Sequence, residues 1–326
     1  MLLKLLKQFE NLFDGTLGKW NTNPVVIEMK PGSKPTSSRS YSVPRINKQT
    51  FKNELDRLIK IGVLEQVQES EWGTPVFIIP KKEGIVRFLT DYRRVNGQII
   101  RKPFPIPKIA DTLQQLEGFK FATALDLNMG YYTIPLAECS KNITTIVTEF
   151  GKFRYTCLPM GMVISGDVFQ YKIYNLIGDI DGVKTYIDDI LCIGKGTFAQ
   201  HINQLEEIFK RFQKAGLKVN SSKCSFGLKE IPYLGYIITI NGIKPDPKKV
   251  QGILDLDKPK TVKKMKGFIG MIQFYRDMWK RRSHILSSLI DATAGKKKHT
   301  KITWTDEMNK AFIQIKQIIS EEVFLT

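Results

Sequence analysis

Cysteine and histidine are scarce in this chain of 326 residues, which holds four of the first and three of the second. Cys139, Cys157, Cys192 and Cys224 lie far apart with no Cys-x-x-Cys spacing, and His201, His284 and His299 have no cysteine near them. Neither a disulfide framework nor a zinc site is expected; the pattern predicts buried thiols and a reducing, intracellular setting. No apolar run approaches the roughly 18–20 residues that span a bilayer, so no membrane partner is expected. Lysines break the apolar stretch of the N-terminal MLLKLLKQFENLF and no small-residue cleavage site follows. That segment therefore reads as an amphipathic helix, not a secretory signal. Acidic side chains are also in short supply: 32 Asp and Glu face 50 Lys and Arg, a formal net charge of +18.

Hydrophobic residues make up 42% of the chain and aromatics 10%. That content excludes a disordered tail, and the length predicts a large core divided into two or more lobes. The positive charge is uneven. Between residues 261 and 301 there are eleven Lys or Arg and two acids, Asp277 and Asp291. Such a block suits a phosphate backbone, although a solvated basic face or an anionic lipid surface would use the same residues.

Residues 21–50, rich in Pro, Ser, Thr and Asn, read as an extended lead-in. Phe51, Leu55, Leu58 and Ile59 keep helical spacing, with Gly62 placed to end that helix. TPVFIIP (74–80) and IVRFLT (85–90) read as strands joined by a turn at 81–84. Pro103, Pro105 and Pro107 lead into a helix with Ile109, Leu113 and Leu116 on one face. Residues 119–127 and 131–136 read as strands around a short turn, and 143–148 pairs with 152–157 across Phe150 and Gly151. A helix is expected at 167–177 and a hairpin at 184–193. Ile202, Leu205, Ile208, Phe209, Phe212 and Ala215 form an amphipathic helix closed by Gly216. A strand pair at 231–240 and a basic, helix-rich region follow. Without regular βαβ alternation, the class is α+β.

The chemistry concentrates in two apolar settings. Tyr186-Ile187-Asp188-Asp189 is flanked by Ile190, Leu191 and Ile193, and a tight turn there would push two adjacent carboxylates to a sheet edge. Side by side they repel unless a cation sits between them, although Asp-Asp in a hairpin is more often only a turn. Asp126 lies in an equally apolar strand that does not tolerate a lone charge cheaply. Brought together, the three offer an oxygen-only donor set suited to Mg²⁺. Two such ions could activate a 3′-hydroxyl and stabilise a leaving pyrophosphate.

Eight blocks in order carry a resemblance. They are SEWGTPVFIIPKKEGIVRFLTDYRRVN (70–96), RKPFPIPKI (101–109), ALDLNMGYYTI (124–134), LPMG to VFQ (158–170) and YIDDIL (186–191). HINQLEEIFKRFQKAGLKVNSSKCSF (201–226), YLGYII (233–238) and GFIGMIQFYRDM (267–278) complete the series. Over about 51–312 the chain resembles the reverse transcriptases of gypsy-type long-terminal-repeat retrotransposons and, more distantly, the retroviral enzymes.

The resemblance implies a right-hand polymerase. Fingers would be 1–101 and 134–163, and the palm, a ferredoxin/RRM-like antiparallel sheet with helices, 102–133 and 164–240. A helical thumb would be 241–301 and the start of a connection segment 302–326. It implies RNA- and DNA-templated DNA synthesis that extends a primer 3′-hydroxyl with deoxynucleotides, using two Mg²⁺ ions for which Mn²⁺ can substitute. RNA/DNA or DNA/DNA primer-template would be the partner and a monomer the working state, with a virus-like particle as the natural setting. Asp126, Asp188 and Asp189 become the metal-binding catalytic carboxylates. Lys81, Lys82, Arg87, Tyr131, Met160 and Gln170 would surround the incoming nucleotide, Tyr131 as a steric gate against the 2′-hydroxyl. Tyr233, Leu234, Gly235 and Tyr236 would grip the primer, and Lys263, Lys264, Lys266, Arg276 and Lys280 would contact the backbone. Residues 162–167 lack the proline usual in this family, which is expected to loosen the start of the following helix. The chain stops where the family's RNase H domain would begin, so no RNase H activity is expected of it. A catalytically silent scaffold of the same fold and a basic lipid-binding protein stand as alternatives.

Overall fold

The computed structural model describes residues 1–80, 86–114, 116, 118–276 and 282–320. The chain separates into two compact units, the first made of 1–106, 124–192 and 198–224, the second of 107–123, 193–197 and 225–326.

Unit 1 begins with helices α1 (Leu2–Gln8) and α2 (Lys48–Lys60) and strands β1 (Leu64–Gln66), β2 (Thr74–Pro80) and β3 (Val86–Thr90). A short α3 (Arg93–Asn96) follows; α4 (Ile109–Gln114) lies in unit 2, and β4 (Phe121–Asp126) carries the chain back into unit 1. Then come α5 (Glu138–Lys141), β5 (Ile146–Thr148), β6 (Gly151–Tyr155), α6 (Ser165–Ile177), β7 (Val183–Tyr186), β8 (Asp189–Gly194) and α7 (Phe198–Ala215). One sheet runs β1-β6-β5-β2-β3; only its β2–β5 pair is parallel, with Thr74 opposite Ile146. The carboxylates lie on the sheet in which β7, β8 and β4 are neighbours, and β9 (Ser225–Leu228) opens the last stretch of unit 2. Interior strands of such a sheet are covered on both faces, which is why β8 reads as an unbroken apolar run from Ile190 to Ile193, all buried.

α7 forms as its spacing predicts. Ile202, Leu205, Ile208, Phe209 and Phe212 are buried on one stripe, each contributing roughly 1.5–3 kcal/mol by leaving water. The N-terminal segment packs there: Phe9 and Phe13 meet the edge of Phe209 at ring distances of 5.7 and 5.5 Å. Its continuation is tied by Val219 N–H donating to Leu12 O and Trp20 N–H to Thr133 O. The residues 1–20 are thus an integral layer of unit 1.

Unit 2 holds a meander of β10 (Glu230–Tyr233), β11 (Tyr236–Thr239) and β12 (Gly242–Pro245), then α8 (Pro247–Leu254), α9 (Val262–Phe274), α10 (Arg282–Asp291) and α11 (Asp306–Ser320). α9 buries Val262, Met265, Phe268, Ile269 and Ile272, and Phe268 packs on Phe312 at 4.9 Å. Among the described residues no helix is long and apolar enough to cross a membrane.

Three expectations change. Residues 130–133 form a 3-10 turn instead of the start of a strand. Met129 takes a left-handed φ of 51°, and Thr133 Oγ1 donates to Gly130 O, closing a turn that the β-favouring residues alone would not choose. Of the cysteines, Cys157 and Cys192 are buried, Cys224 is half-buried and Cys139 is exposed; none is bridged. The start of α6 is not loose despite the missing proline. Ser165 Oγ donates to Pro159 O at 2.6 Å. Buried Asp167 is held by Arg101 Nε at 2.7 Å and by Phe104 N–H at 3.2 Å.

Candidate active site

β4 buries Thr123 and Leu125 on one face and Ala122 on the other, and Asp126 ends the strand on the Ala122 side, where burial gives way to partial exposure. The Asp126 carboxylate is partly exposed, with 27% of its side chain open to solvent. Its own backbone is pinned: Asp126 O accepts from Asn220 N–H at 2.8 Å, and Asp126 N–H lies 3.5 Å from Cys224 Sγ. In β7–β8, Tyr186 pairs with Asp189, so Ile187 and Asp188 alone form the bend. Ile187 has φ 51°, a left-handed conformation that a β-branched residue seldom adopts. The outcome is a bend whose two aspartates reach solvent although protein surrounds much of each carboxyl, while Ile190 behind them is 1% exposed.

The three aspartates feel one another. Burial by the surrounding protein pushes the Asp188 carboxyl up to about 6, with Asp126 and Asp189 adding to the rise and Lys223 opposing it. Asp189 is raised by burial and by Asp126, again against Lys223. The Lys223 ammonium stands 3.3 Å from both carboxylate oxygens of Asp126. Nothing in the sequence singles out Lys223; its role is visible only because the 221–223 turn returns to the end of β4. Tyr131 lies at the same place. Its hydroxyl is raised above the usual tyrosine range by burial and by the Asp188 charge. Its ring rests 5.0 Å from that of Phe169, which meets Trp20 edge-on at 6.2 Å.

A divalent cation fits the chemistry of this donor set. Among the described residues no group of three or more His, Cys, Asp or Glu stands close enough to hold a metal ion by itself, so the three aspartates would need substrate oxygens or water to complete a site. What stands instead is an open, oxygen-only group of mutually repelling carboxylates partly compensated by one ammonium. Mg²⁺ dehydrates reluctantly and is usually held by one or two carboxylates plus substrate phosphates, which is a site of this open kind.

The other expected residues are more scattered. Gln170 is fully buried, and its amide makes hydrogen bonds to the bend. Met160 is 38% exposed at the surface of unit 1. Lys81 and Lys82 lie outside the described residues, and Arg87 lies in β3 opposite Ile79. In unit 2, Tyr233 and Tyr236 are buried and flank the bend of Leu234, φ 48°, and Gly235, φ 86°. Tyr236 stacks on Phe274 at 5.4 Å and donates to its carbonyl, while Tyr275 donates to Gly235 O. Lys263, Lys264 and Lys266 project from the exposed side of α9 and Arg276 is exposed beyond it; Lys280 lies outside the described residues.

The reverse transcriptase (RNA-dependent DNA polymerase) family matches residues 79–238. The retrovirus-related Pol polyprotein from transposon opus of Drosophila melanogaster is 31% identical over 304 residues, covering 90% of this chain and 30% of that polyprotein. A foamy viral protease-reverse transcriptase in complex with double-stranded DNA superposes with a TM-score of 0.92 at 27% identity, over 99% of this chain and 57% of that one. The same viral protein in complex with RNA/DNA hybrid gives 0.90 at 26% identity, over 99% of this chain and 44% of that one. The α+β fold is therefore that of the retroviral polymerase structures, and the chain spans less than a third of the curated relative that it matches.

Proposed function

Residues 79–238 of this chain belong to the reverse transcriptase family, and from that premise we propose that the chain is a DNA polymerase copying RNA and DNA templates. The observation that carries the reading is that Asp126, Asp188 and Asp189 stand within electrostatic reach of one another: burial raises the Asp188 and Asp189 carboxyls, the Asp126 charge adds to both, and a cation would relieve that cost. Asp126 and Asp188 would hold divalent ions, with Asp189 beside them. When bound, the ions supply Lewis-acid activation of the primer hydroxyl and neutralise charge on the departing pyrophosphate.

The chain's own residues do the positioning. Tyr131, braced by Phe169, would lie beneath the sugar and exclude a 2′-hydroxyl by contact. Lys81, Lys82 and Arg87 would hold the triphosphate with charge-assisted bonds, Arg87 in a bidentate manner. Met160 would border the nucleotide. The bend at 233–236 would steady the primer end, its glycine allowing close backbone approach. Lys263, Lys264, Lys266, Arg276 and Lys280 would neutralise phosphates of a primer-template duplex. The fingers, palm, thumb and connection boundaries given above belong to the same proposal. Catalysis in this arrangement is orientation plus preorganised charge, with no covalent intermediate.

The test is extension of a DNA primer on RNA and on DNA templates with deoxynucleotides, with Mg²⁺ and with chelator. Extension that requires metal and disappears in Asp188→Asn is the expected result. Wild type indistinguishable from Asp188→Asn would leave a silent nucleic-acid-binding scaffold.

A further inference from the structure

We infer that Gln170 is a positioning residue that holds the Asp188-bearing bend in shape, and that it does not touch the nucleotide. The inference rests on the polymerase reading above. Gln170 is 0% exposed, on the face of α6 that packs against the β7–β8 hairpin. Its amide spans the hairpin just before the carboxylates. Nε2 donates to Thr185 O at 3.2 Å and to Thr185 Oγ1 at 3.1 Å, and Oε1 accepts from Ile187 N–H at 2.6 Å.

The bonded N–H belongs to the residue that needs help. Ile187 sits at φ 51°, where its branched Cβ crowds the following carbonyl. A strained residue keeps such a conformation only when its surroundings over-determine it. The bond to Gln170 fixes the peptide entering Ile187, and the direction in which Asp188 leaves the bend follows from that peptide. The fixed point is itself rigid. The neighbouring Phe169 is 0% exposed and lies where a Cβ on Gly130 would come within 2.9 Å of its ring. One turn earlier Asp167 is tied to Arg101. α6 therefore acts as an anchor, and the Gln170 amide transmits its position to the carboxylates. A glutamine suits this task because one side chain end must both accept and donate, which neither leucine nor an ionised glutamate can do.

The experiment compares wild type with Gln170→Leu, Ile187→Asn and the double variant, with Thr185→Val as a milder break that removes only the hydroxyl contact. Steady-state extension, Mn²⁺ binding by electron paramagnetic resonance and melting temperature are read for each. Gln170→Leu is expected to lower kcat about tenfold or more with nucleotide KM within about twofold, and to weaken Mn²⁺ binding several-fold. Thr185→Val is expected to give the same pattern at smaller size. Asparagine accepts the left-handed region readily, so the loss caused by Gln170→Leu is expected to shrink in the Ile187→Asn background. A rise in KM with unchanged kcat and Mn²⁺ binding overturns the inference in favour of direct nucleotide contact. So does an equal loss in both backgrounds, or a fall in melting temperature with kcat and Mn²⁺ binding unchanged in every folded variant. A wild type that extends no primer yet loses Mn²⁺ affinity on Gln170→Leu would sink the polymerase reading and keep the clamp.

Discussion

The bends at 186–189 and 233–236 are built alike and used differently. Each is a two-residue turn between paired strands, and each places a large apolar residue, Ile187 or Leu234, at φ near 50°. They part at the second turn position. In unit 2 it is Gly235, also left-handed at φ 86°, so the chain bends freely and the space beside it is filled by Phe274 and Lys249. In unit 1 it is Asp188, which is not among the left-handed residues. A position that must offer a carboxylate needs a Cβ and cannot be glycine. The backbone strain then falls on Ile187 alone, and a buried amide is recruited to hold it. Both bends carry a large residue at positive φ and both are held from outside, the first by the Gln170 amide and the second by the Tyr275 hydroxyl on Gly235 O; the second needs less holding because its other position is glycine.

The strongest way to break that contrast is Asp188→Asn. Primer extension is expected to fall about a thousandfold or more, since charge at the reacting centre is the largest catalytic contribution. The same variant is expected to melt a few degrees higher, because it removes a carboxyl that burial and two neighbouring acids disfavour in its ionised form. A lower melting temperature would mean that Asp188 is a structural residue.

Next in size is Tyr131→Val. Removing the ring beneath the sugar is expected to relax discrimination against ribonucleotides by about tenfold to a hundredfold, read as the ratio of kcat/KM values. Unchanged discrimination would withdraw the gate.

The corresponding disruption in unit 2 is Gly235→Ala. A Cβ there meets the Phe274 ring at 3.0 Å and forces an L residue to hold φ 86°. A loss of about 1–2 kcal/mol in urea unfolding is expected. A neutral result would mean that this bend is as adaptable as a surface loop.

A finer effect appears with pH in chelator. The Asp188 pKa in the folded chain, about 6, lies above the ordinary carboxylate value of 3.8. Wild type therefore keeps its full stability below pH 4 and loses this contribution as pH rises through 6. The melting-temperature advantage of Asp188→Asn should grow from pH 4 to pH 6 and stay level above. A constant difference across that window would mean that ionisation of a buried, crowded Asp188 is not its cause. Smallest are the basic residues of α9: alanine at Lys263, Lys264 or Lys266 should flatten the log–log salt dependence of duplex binding by about 0.9 per lysine. A slope unaltered in all three would move the backbone contact elsewhere.

Turn signals and periodicity made most elements legible. Gly62 and Gly216 end α2 and α7, and the aspartate pair of 188–189 lies at the hairpin bend expected for it. The reading failed at 131–136, where Tyr, Thr and Ile favour a strand locally but Met129 and Thr133 close a turn. It also missed three contacts. Lys223 faces Asp126 from 97 residues away, Gln170 holds a bend 17 residues on, and Trp20 packs behind Phe169. None has a local signature, because each acts through a contact that chain closure creates.

Sequence alone determined the class of the fold, the placing of both bends, and the presence of three acids in strands too apolar to bear a solitary charge. Only the tertiary structure decided that Asp188 is crowded enough to resist ionisation, that Lys223 opposes this, and that Gln170 faces inward. Propensity and spacing act over a few residues of chain, whereas burial and electrostatic coupling depend on distances through space. Those distances exist only after folding has brought far-apart segments together.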